Sequence, residues 1–425
     1  MKRSLLQFLL LVSSLPLSAQ LYFPPGSPGD WETIAPEELG WCPNEIDNLY
    51  DFLEGNNSKA FIVLKDGKIV LEQYFNGHGA EIPWFWASAG KTLVAFLAGR
   101  AQEEGFLNIN DPTADYLGQG WTDCPDDEAD ITIWHQLTMT SGLDDGFADP
   151  FCTQPECLQC LAEPGTRWSY HNAPYTLLRD VLESATGQSI NMLMQDIKSE
   201  TGMGGLFIEQ GFNNVYFSDA RSMARFGLLI LAGGQWDGTP LLSDITYFKD
   251  MITPSQDINP AYGYLWWLNG QNSYMVPQTQ FVFSGGITPN APADMVSALG
   301  ANGQIINVVP SQNLVMIRMG QAPGNDLVPY LLNDQIWERF NALACEPVST
   351  AAPPAAAPRF YPNPAGDYLF PESLAHLKHQ PYQLLDAYGR AVASGTFTGP
   401  ISLAGLPAGL YTLAWKGGSH RLLKQ

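Results

Sequence analysis

The chain has 425 residues, and its 43 acidic and 21 basic residues give a formal net charge of −22. A protein this negative is repelled by nucleic acid and by anionic lipid surfaces, so we expect neither as a partner. The length fits one large domain and one small domain.

The first residues have the order of a secretory signal peptide. Lys2 and Arg3 precede an apolar run from Leu5 to Val12, and small residues follow up to Ala19. We therefore predict a signal peptide over residues 1–19 and an exported protein that is secreted or held at the cell surface. No later stretch reaches the roughly 20 apolar residues of a membrane-spanning helix, so no membrane span is predicted.

Strand patterns occur near both ends of the following region. Ala60 to Leu64 and Lys68 to Tyr74 are β-rich runs on either side of Asp66-Gly67, a dipeptide that favours a tight hairpin. Gln304 to Val309 and Leu314 to Met319 predict a second strand pair. Helical periodicity lies between the two pairs, over Ser88–Glu104, Ala173–Ala185 and Ser218–Ala232. This order predicts an α+β fold, with an antiparallel sheet flanked by helices, a helical subdomain, and the site at the seam.

The chain has six cysteines, and disulfides form readily in exported proteins. Cys152, Cys157 and Cys160 could suggest a metal site, but no histidine pair lies nearby at the spacing of a zinc finger. We therefore predict a disulfide-stapled loop and expect neither a metal nor a cofactor. The spacing alone does not fix the pairing.

Ser88 and Lys91 lie one turn apart at the start of a predicted helix. A lysine amine in this position can take the proton of the serine hydroxyl, and the helix N-terminus favours developing negative charge. The same spacing also fits a helix-capping serine followed by a solvated lysine.

The segment Tyr170-His171-Asn172 places two polar side chains on one face. Because side chains of an extended segment alternate, Tyr170 and Asn172 point one way and His171 the other. A phenol can pass on a proton, and an amide can bind substrate or orient the lysine. A buried, hydrogen-bonded structural tyrosine is the alternative.

In this order and about 80 residues apart, the two motifs resemble the serine β-lactamase and penicillin-binding-protein superfamily, and within it the class C-like and esterase-like branch. His135 to Leu143 is similar to its His-x-Leu-x-x-Thr-Ser-Gly-Leu segment, in which we interpret His135 as structural. Tyr262 to Trp267 is similar to its Tyr-Gly-x-x-Trp strand. The resemblance implies a β-lactamase/transpeptidase-like fold for a hydrolase domain over residues 20–345.

The resemblance also implies a mechanism. Ser88 would attack a carbonyl to form an acyl-enzyme, Lys91 and Tyr170 would share the acid and base work, and Asn172 would contact the substrate or Lys91. The backbone N–H of Ser88 would be one oxyanion donor. A disulfide between Cys42 and Cys345 is implied as well, because the first and last helices of this fold pack together.

Three functions remain open at this point. The first is hydrolysis of small ester, amide or peptide substrates by a secreted serine hydrolase. The second is processing of D-amino-acid peptides or peptidoglycan, and the third is a catalytically silent surface binding protein on the same fold.

The third motif of the superfamily, Lys-Thr-Gly or His-Thr-Gly, is altered here. The segment that we align with it is Ala301-Asn302-Gly303-Gln304, which has no cation. We assign Asn302, Gly303 and Gln304 to substrate binding, with the Gln304 N–H completing the oxyanion hole. Without the cation, binding of a substrate carboxylate loses a charge-assisted hydrogen bond.

Residues 346–358, EPVSTAAPPAAAP, have the composition of a semi-rigid linker. The tail, residues 359–425, has short strand patterns divided by glycines and predicts a small β-sandwich. Its Tyr361-Pro362-Asn363-Pro364 start and its Leu406–Tyr411 segment resemble the C-terminal sorting domain of type IX secretion substrates. The resemblance implies the type IX secretion machinery as a partner, and a carbohydrate-binding or adhesion sandwich is the alternative.

Overall fold

The structure is a computed structural model that describes residues 21–26, 30–146, 148–324, 326–345, 358–372, 377–416 and 418–425. The chain forms two units, Met1–Cys345 and Glu346–Gln425. The predicted signal peptide and all of the predicted linker except Pro358 lie outside the described residues.

The elements are as follows. The α-helices are α1 (Pro43–Gly55), α2 (Lys91–Glu103), α3 (Ala114–Leu117), α4 (Ile133–Leu137), α5 (Asn172–Thr176), α6 (Leu178–Thr186), α7 (Ile190–Leu193), α8 (Gln195–Thr201), α9 (Ala220–Leu231), α10 (Ile245–Met251) and α11 (Tyr330–Asn341). The 3₁₀ helices are Pro36–Leu39, Ala87–Gly90, Glu128–Asp130, Pro155–Cys157, Ala301–Gly303 and Pro310–Gln312. The strands of the first unit are β1 (Ser58–Lys65), β2 (Lys68–Tyr74), β3 (Trp84–Phe85), β4 (Leu206–Gln210), β5 (Asn213–Ser218), β6 (Gln235–Trp236), β7 (Thr239–Pro240), β8 (Trp267–Leu268), β9 (Ser273–Tyr274), β10 (Phe283–Ser284), β11 (Val296–Gly300), β12 (Gln304–Val309) and β13 (Leu314–Gly320). Those of the second unit are β14 (Phe360–Tyr361), β15 (Tyr368–Pro371), β16 (Pro381–Leu385), β17 (Ala391–Thr396), β18 (Ile401–Ser402), β19 (Gly409–Trp415) and β20 (Gly418–Lys424).

The main sheet of the first unit is antiparallel, with the strand order β2-β1-β13-β12-β11-β8. Asp66 and Gly67 both have positive φ, 52° and 83°, which is the conformation of the two-residue hairpin turn that the dipeptide predicted. The turn brings two strands that are adjacent in sequence to one edge of the sheet. The opposite part of the sheet, formed by β11 and β8, comes from the later half of the chain.

Helix α9 packs on β1, β12 and β13. The helix begins at Ala220 because Asp219 caps it, accepting a hydrogen bond from the Ser222 N–H. Gly227 allows the close approach, since a Cβ there would lie 2.5 Å from Val315 Cγ1. The strands beneath are buried along most of their length, which explains their nearly continuous apolar sequences.

Helices α1 and α11 pack together, and a disulfide joins Cys42, just before α1, to Cys345, after α11. The pairing implied by the family resemblance is therefore confirmed. Two further disulfides, Cys124–Cys160 and Cys152–Cys157, close the loop that we expected to be stapled. Cys124 and Cys160 also lie near Asp127, but as a disulfide they offer no thiolate to a metal.

These features confirm the α+β fold class, with an antiparallel sheet, flanking helices and a helical subdomain. In the part of the chain that the structure describes, no helix is both long and apolar enough to cross a membrane. The three disulfides are consistent with an exported protein.

The second unit consists of two antiparallel sheets, β14-β15-β18 and β17-β16-β19-β20. Both sheets contribute apolar side chains to one core, including Phe360, Leu369, Leu384, Phe397 and Leu413. Two sheets that share a core form the β-sandwich expected from the tail sequence.

Candidate active site

Ser88 follows a short strand that holds the chain in place. The Trp86 N–H donates to the Tyr216 carbonyl on β5, and Ala87 then turns the chain with φ of 46°. The left-handed region costs a residue with a Cβ roughly 1–2 kcal/mol. This turn leads directly into the 3₁₀ helix Ala87–Gly90 and helix α2, so Ser88 lies at the start of a helical run.

Lys91 is 3 % exposed, and its ammonium contacts two of the predicted site residues. Its Nζ donates to Ser88 Oγ at 2.9 Å and to Asn172 Oδ1 at 2.9 Å. No carboxylate of the described residues forms an ion pair with it. Burial lowers the pKa of Lys91 from 10.5 to about 7, because the charged form loses its hydration. A lysine with this pKa can act as a base near neutral pH.

Tyr175 is a contact of Lys91 that the sequence analysis missed. Lys91 Nζ lies 4.2 Å from the centre of the Tyr175 ring and 5.1 Å from that of Tyr170. Tyr175 lies three residues after Asn172 on helix α5, a spacing that places both side chains on one face. That spacing is the signal that could have revealed it.

Tyr170 lies beside Ser88, whose side chain acts to lower the pKa of the phenol. Burial raises the pKa of Tyr170, so the phenol keeps its proton at neutral pH. Its ring stacks on Trp267 at 5.7 Å, and Trp267 in turn meets Tyr262 edge-on at 4.9 Å. Trp168 closes this aromatic cluster, and the packing holds the phenol in place.

His171 is buried near three charged side chains. Burial lowers its pKa to about 4, and the charges of Asp145, Asp144 and Arg167 act on it. The imidazole is therefore neutral at pH 7. Arg167 itself forms an ion pair with Asp145 at 2.6 Å.

His135 is bonded within its own helix. Its Nδ1 accepts from the Thr132 backbone N–H at 3.1 Å, in keeping with a structural role.

Strand β11 meets Ser88 at Gly300. A Cβ on Gly300 would lie 2.5 Å from the Trp86 carbonyl oxygen, 2.8 Å from the Ala89 nitrogen and 3.0 Å from the Ser88 nitrogen. Only a residue without a side chain allows this approach. The segment aligned from the sequence began one residue later, at Ala301, so it missed the glycine that makes the contact.

The alternation of β11 directs the Ala301 N–H to the edge of the strand that pairs with β8. On that edge the Met295 carbonyl accepts from the Asn269 N–H. Backbone groups of a strand alternate between its two edges, so the odd-numbered residues continue along this edge to Ala301.

The structure does not bring the Gln304 side chain to Ser88. Its amide donates to the carbonyls of Ala301 and Gly320, at 3.2 and 2.7 Å, and its oxygen accepts from the Gly320 N–H. Gly303 has φ of 84°, and a Cβ there would overlap the Arg318 guanidinium.

Arg318 of β13 is fully buried beside the turn that joins β11 to β12. It donates to the carbonyls of Asn302, Gly303 and Asn56 and to Ser58 Oγ. These bonds hold the backbone carbonyls of Asn302 and Gly303 in the turn between β11 and β12.

The Beta-lactamase family model matches residues 54–338. The chain belongs to the β-lactamase family. The matched range of this family member includes Ser88, Lys91, Tyr170, Asn172 and Gly300.

One protein and two solved structures that are similar to this β-lactamase family member share 24 % sequence identity or less with it. An uncharacterized protein of Alkalihalophilus pseudofirmus is 24 % identical over 306 residues, which cover 63 % of this chain and 84 % of that protein. A family VIII carboxylesterase structure has a TM-score of 0.53 at 16 % identity, covering 72 % of this chain and 99 % of its own. The β-lactamase/D-alanine carboxypeptidase from Pseudomonas syringae has a TM-score of 0.52 at 15 % identity, covering 69 % and 98 %. At these identities the structures show the shared fold.

Proposed function

We propose that this protein is an exported serine hydrolase that cleaves neutral esters or amides through an acyl-enzyme on Ser88. The observation that carries the proposal is the hydrogen bond of 2.9 Å between Lys91 Nζ and Ser88 Oγ, in a site that lowers the pKa of the lysine to about 7. A solvated lysine next to a capping serine would have neither the burial nor the second bond to Asn172.

In the acylation step, neutral Lys91 takes the proton of Ser88 Oγ while the oxygen attacks the substrate carbonyl carbon. The carbonyl oxygen gains the negative charge, and the backbone N–H groups of Ser88 and Ala301 stabilise it. We therefore assign the second oxyanion donor to the Ala301 N–H and not to the Gln304 N–H that the sequence alignment indicated. Tyr170, protonated at neutral pH, donates its proton to the leaving oxygen or nitrogen, and the proton on Lys91 replaces it.

In the deacylation step, water attacks the acyl carbon and the same groups act in the reverse order. Water loses a proton to the Lys91 and Tyr170 pair, and Ser88 Oγ leaves with that proton restored. Asn172 holds the amine in position through its Oδ1 in both steps.

The charges around the site favour a neutral substrate. Ala298 and Leu299, the two residues before Gly300, are apolar and buried, so β11 offers no cation beside the nucleophile. Arg167, another cation near Tyr170 in sequence, is paired with Asp145. A substrate carboxylate would lose a charge-assisted hydrogen bond of about 1.5–3 kcal/mol, which disfavours the D-amino-acid peptide and peptidoglycan alternative.

The route of export belongs to the same proposal. The signal-peptide pattern and the resemblance of the tail support secretion through a type IX system, with residues 359–425 as the sorting signal. The disulfides support a location outside the cytoplasm.

Labelling of the purified mature protein with a fluorophosphonate probe tests the nucleophile. We expect wild-type protein to be labelled at Ser88, and Ser88→Ala to lose both labelling and hydrolysis of phenyl acetate while keeping its thermal unfolding temperature. An unlabelled wild-type protein that binds but does not cleave esters would instead favour the catalytically silent binding protein.

A further inference from the structure

A hairpin beside the active site carries exposed apolar side chains. Strands β9 and β10 pair through Tyr274 and Phe283, and the loop between them leads to Phe281 and Val282. These two side chains are 39 % and 51 % exposed. We call Phe281, Val282 and Phe283 the apolar lip.

The lip is held against the segment that carries Tyr170. Gln280 Nε2 donates to the Trp168 carbonyl at 3.0 Å, immediately before Phe281. Trp168 lies two residues before Tyr170, about 7 Å away along an extended chain. The Trp168 ring also contacts those of Tyr170 and Trp267, at 6.5 and 6.0 Å.

The side chains of the lip are held in place by ring contacts, and hydrogen bonds fix the base of the hairpin. Phe281 meets Phe283 edge-on at 4.7 Å, and Phe283 stacks on Tyr274 at 5.2 Å. At the base of the hairpin, Asn259 accepts from the Met275 N–H at 3.0 Å and donates to the Met275 carbonyl. Exposed aromatic side chains held in this way lose little conformational entropy when they bind a ligand.

The sequence around the lip is uncharged. From Ile258 to Ala293 the chain contains no Asp, Glu, Lys, Arg or His, although 15 % of all its residues are charged. Charged side chains elsewhere keep this acidic protein in solution. The stretch therefore contributes no charged side chain of its own to the surface around the lip, which suits a neutral ligand.

We propose that the apolar lip binds the leaving group of the substrate, an apolar alcohol or amine such as an alkyl-substituted phenol. This inference rests on the proposed function, in which Tyr170 protonates the leaving atom. The group bonded to that atom must extend from Tyr170, and the lip lies on the Tyr170 segment. The acyl group, whose carbonyl oxygen lies between Ser88 and Ala301, is directed along β11.

Two series of neutral esters separate the two sides of the substrate. In the first series, 4-methyl- to 4-butylphenyl acetates vary the leaving group while its acidity stays nearly constant. In the second, phenyl acetate to phenyl hexanoate vary the acyl group. We expect wild-type kcat/KM in the first series to rise about two- to fourfold per methylene, where fourfold corresponds to complete burial.

The double variant Phe281→Ser, Val282→Ser is expected to remove this rise and to leave the second series unchanged. Ile245→Ser is the matched control, because Ile245 is 80 % exposed on helix α10, which carries none of the site residues. It should behave as wild type in both series. An unchanged rise in the double variant, or an equal loss in both series, overturns the assignment of the lip.

A binding measurement keeps this test separate from the test of catalysis. Calorimetry of 4-butylphenol with the Ser88→Ala protein and with the same protein lacking the lip side chains needs no turnover. We expect affinity to fall at least fivefold when the lip is removed, and equal affinity contradicts the proposal. If the wild-type protein is not labelled by the fluorophosphonate but phenol binding depends on the lip, the hydrolase function is rejected and the binding site is kept.

Discussion

The ammonium of Lys91 lies 4.2 Å from the centre of the Tyr175 ring, inside a site that provides it with no carboxylate among the described residues. The face of an aromatic ring attracts a cation, whereas burial disfavours one. The proton affinity of the proposed base therefore depends on two opposing effects that come from different residues.

The pH dependence of turnover should report the titration of Lys91. Lys91 is a base only when it has lost its proton, and burial lowers its pKa to about 7. We expect kcat/KM for phenyl acetate to be level above pH 8 and to fall tenfold per pH unit well below 7. Measurement between pH 5 and 10 checks this, and a rate that still rises above pH 9 would mean that the base does not have the lowered pKa of Lys91.

Replacement of Tyr175 by Leu should move that midpoint to lower pH. The substitution removes an attraction for the charged amine worth about 0.5–2 kcal/mol, which corresponds to about 0.4–1.5 pH units. Tyr175→Phe keeps the ring and should leave the midpoint within about 0.3 units of wild type. Equal shifts in both variants would show that the hydroxyl, and not the ring face, acts on Lys91.

Asn172→Asp should move the midpoint in the opposite direction. The new carboxylate would stand where Asn172 Oδ1 now accepts from Lys91 Nζ, and it favours the charged lysine. We expect the midpoint to rise by about one to three pH units, so that activity at pH 7 falls at least about fivefold and recovers at higher pH. Asn172→Ala provides the control, because it removes the hydrogen bond without adding a charge.

Gly300→Ala should damage the site without straining its own backbone. Gly300 has φ of −131° and ψ of 150°, a conformation that alanine adopts freely, but the new Cβ would lie 2.5 Å from the Trp86 carbonyl oxygen. The strand must move away from Ser88, and loss of an oxyanion donor lowers kcat about 100- to 1000-fold. Gly55→Ala is the control, since a Cβ there has nothing within 4 Å. Near-normal kcat in Gly300→Ala would argue against β11 as part of the oxyanion hole.

The disulfide Cys42–Cys345 should contribute to stability and not to chemistry. It links residues 303 positions apart, so its removal by double substitution with serine frees a long loop in the unfolded chain. The loop-entropy relation gives about 6 kcal/mol of unfolding free energy for this bond and about 2 kcal/mol for Cys152–Cys157, whose separation is 5. Urea titration of both variants compares the two values, and kcat at 25 °C should remain unchanged. A larger loss for the short loop would reject the entropic explanation.

Local sequence determined the secondary-structure elements and the pairing of Ser88 with Lys91. The strands Lys68–Tyr74 and Gln304–Val309 begin and end where the β-rich runs do, and Asp66-Gly67 forms the hairpin turn. Ser88 and Lys91 meet because three positions make one helical turn, a spacing that no distant contact alters. These features depend on neighbours in the chain, so their patterns are legible in the sequence.

Tertiary structure decided which glycine at or after the end of β11 meets Ser88. A slip of one residue along a strand exchanges its two edges and its two faces, and nothing local distinguishes Gly300 from Gly303. The choice comes from Arg318, whose guanidinium occupies the space beside Gly303, and from the Trp86 carbonyl, which occupies the space beside Gly300. Both partners lie far away in sequence. The pKa of Lys91 has the same origin, because it depends on burial by segments that only the folded chain brings around the amine.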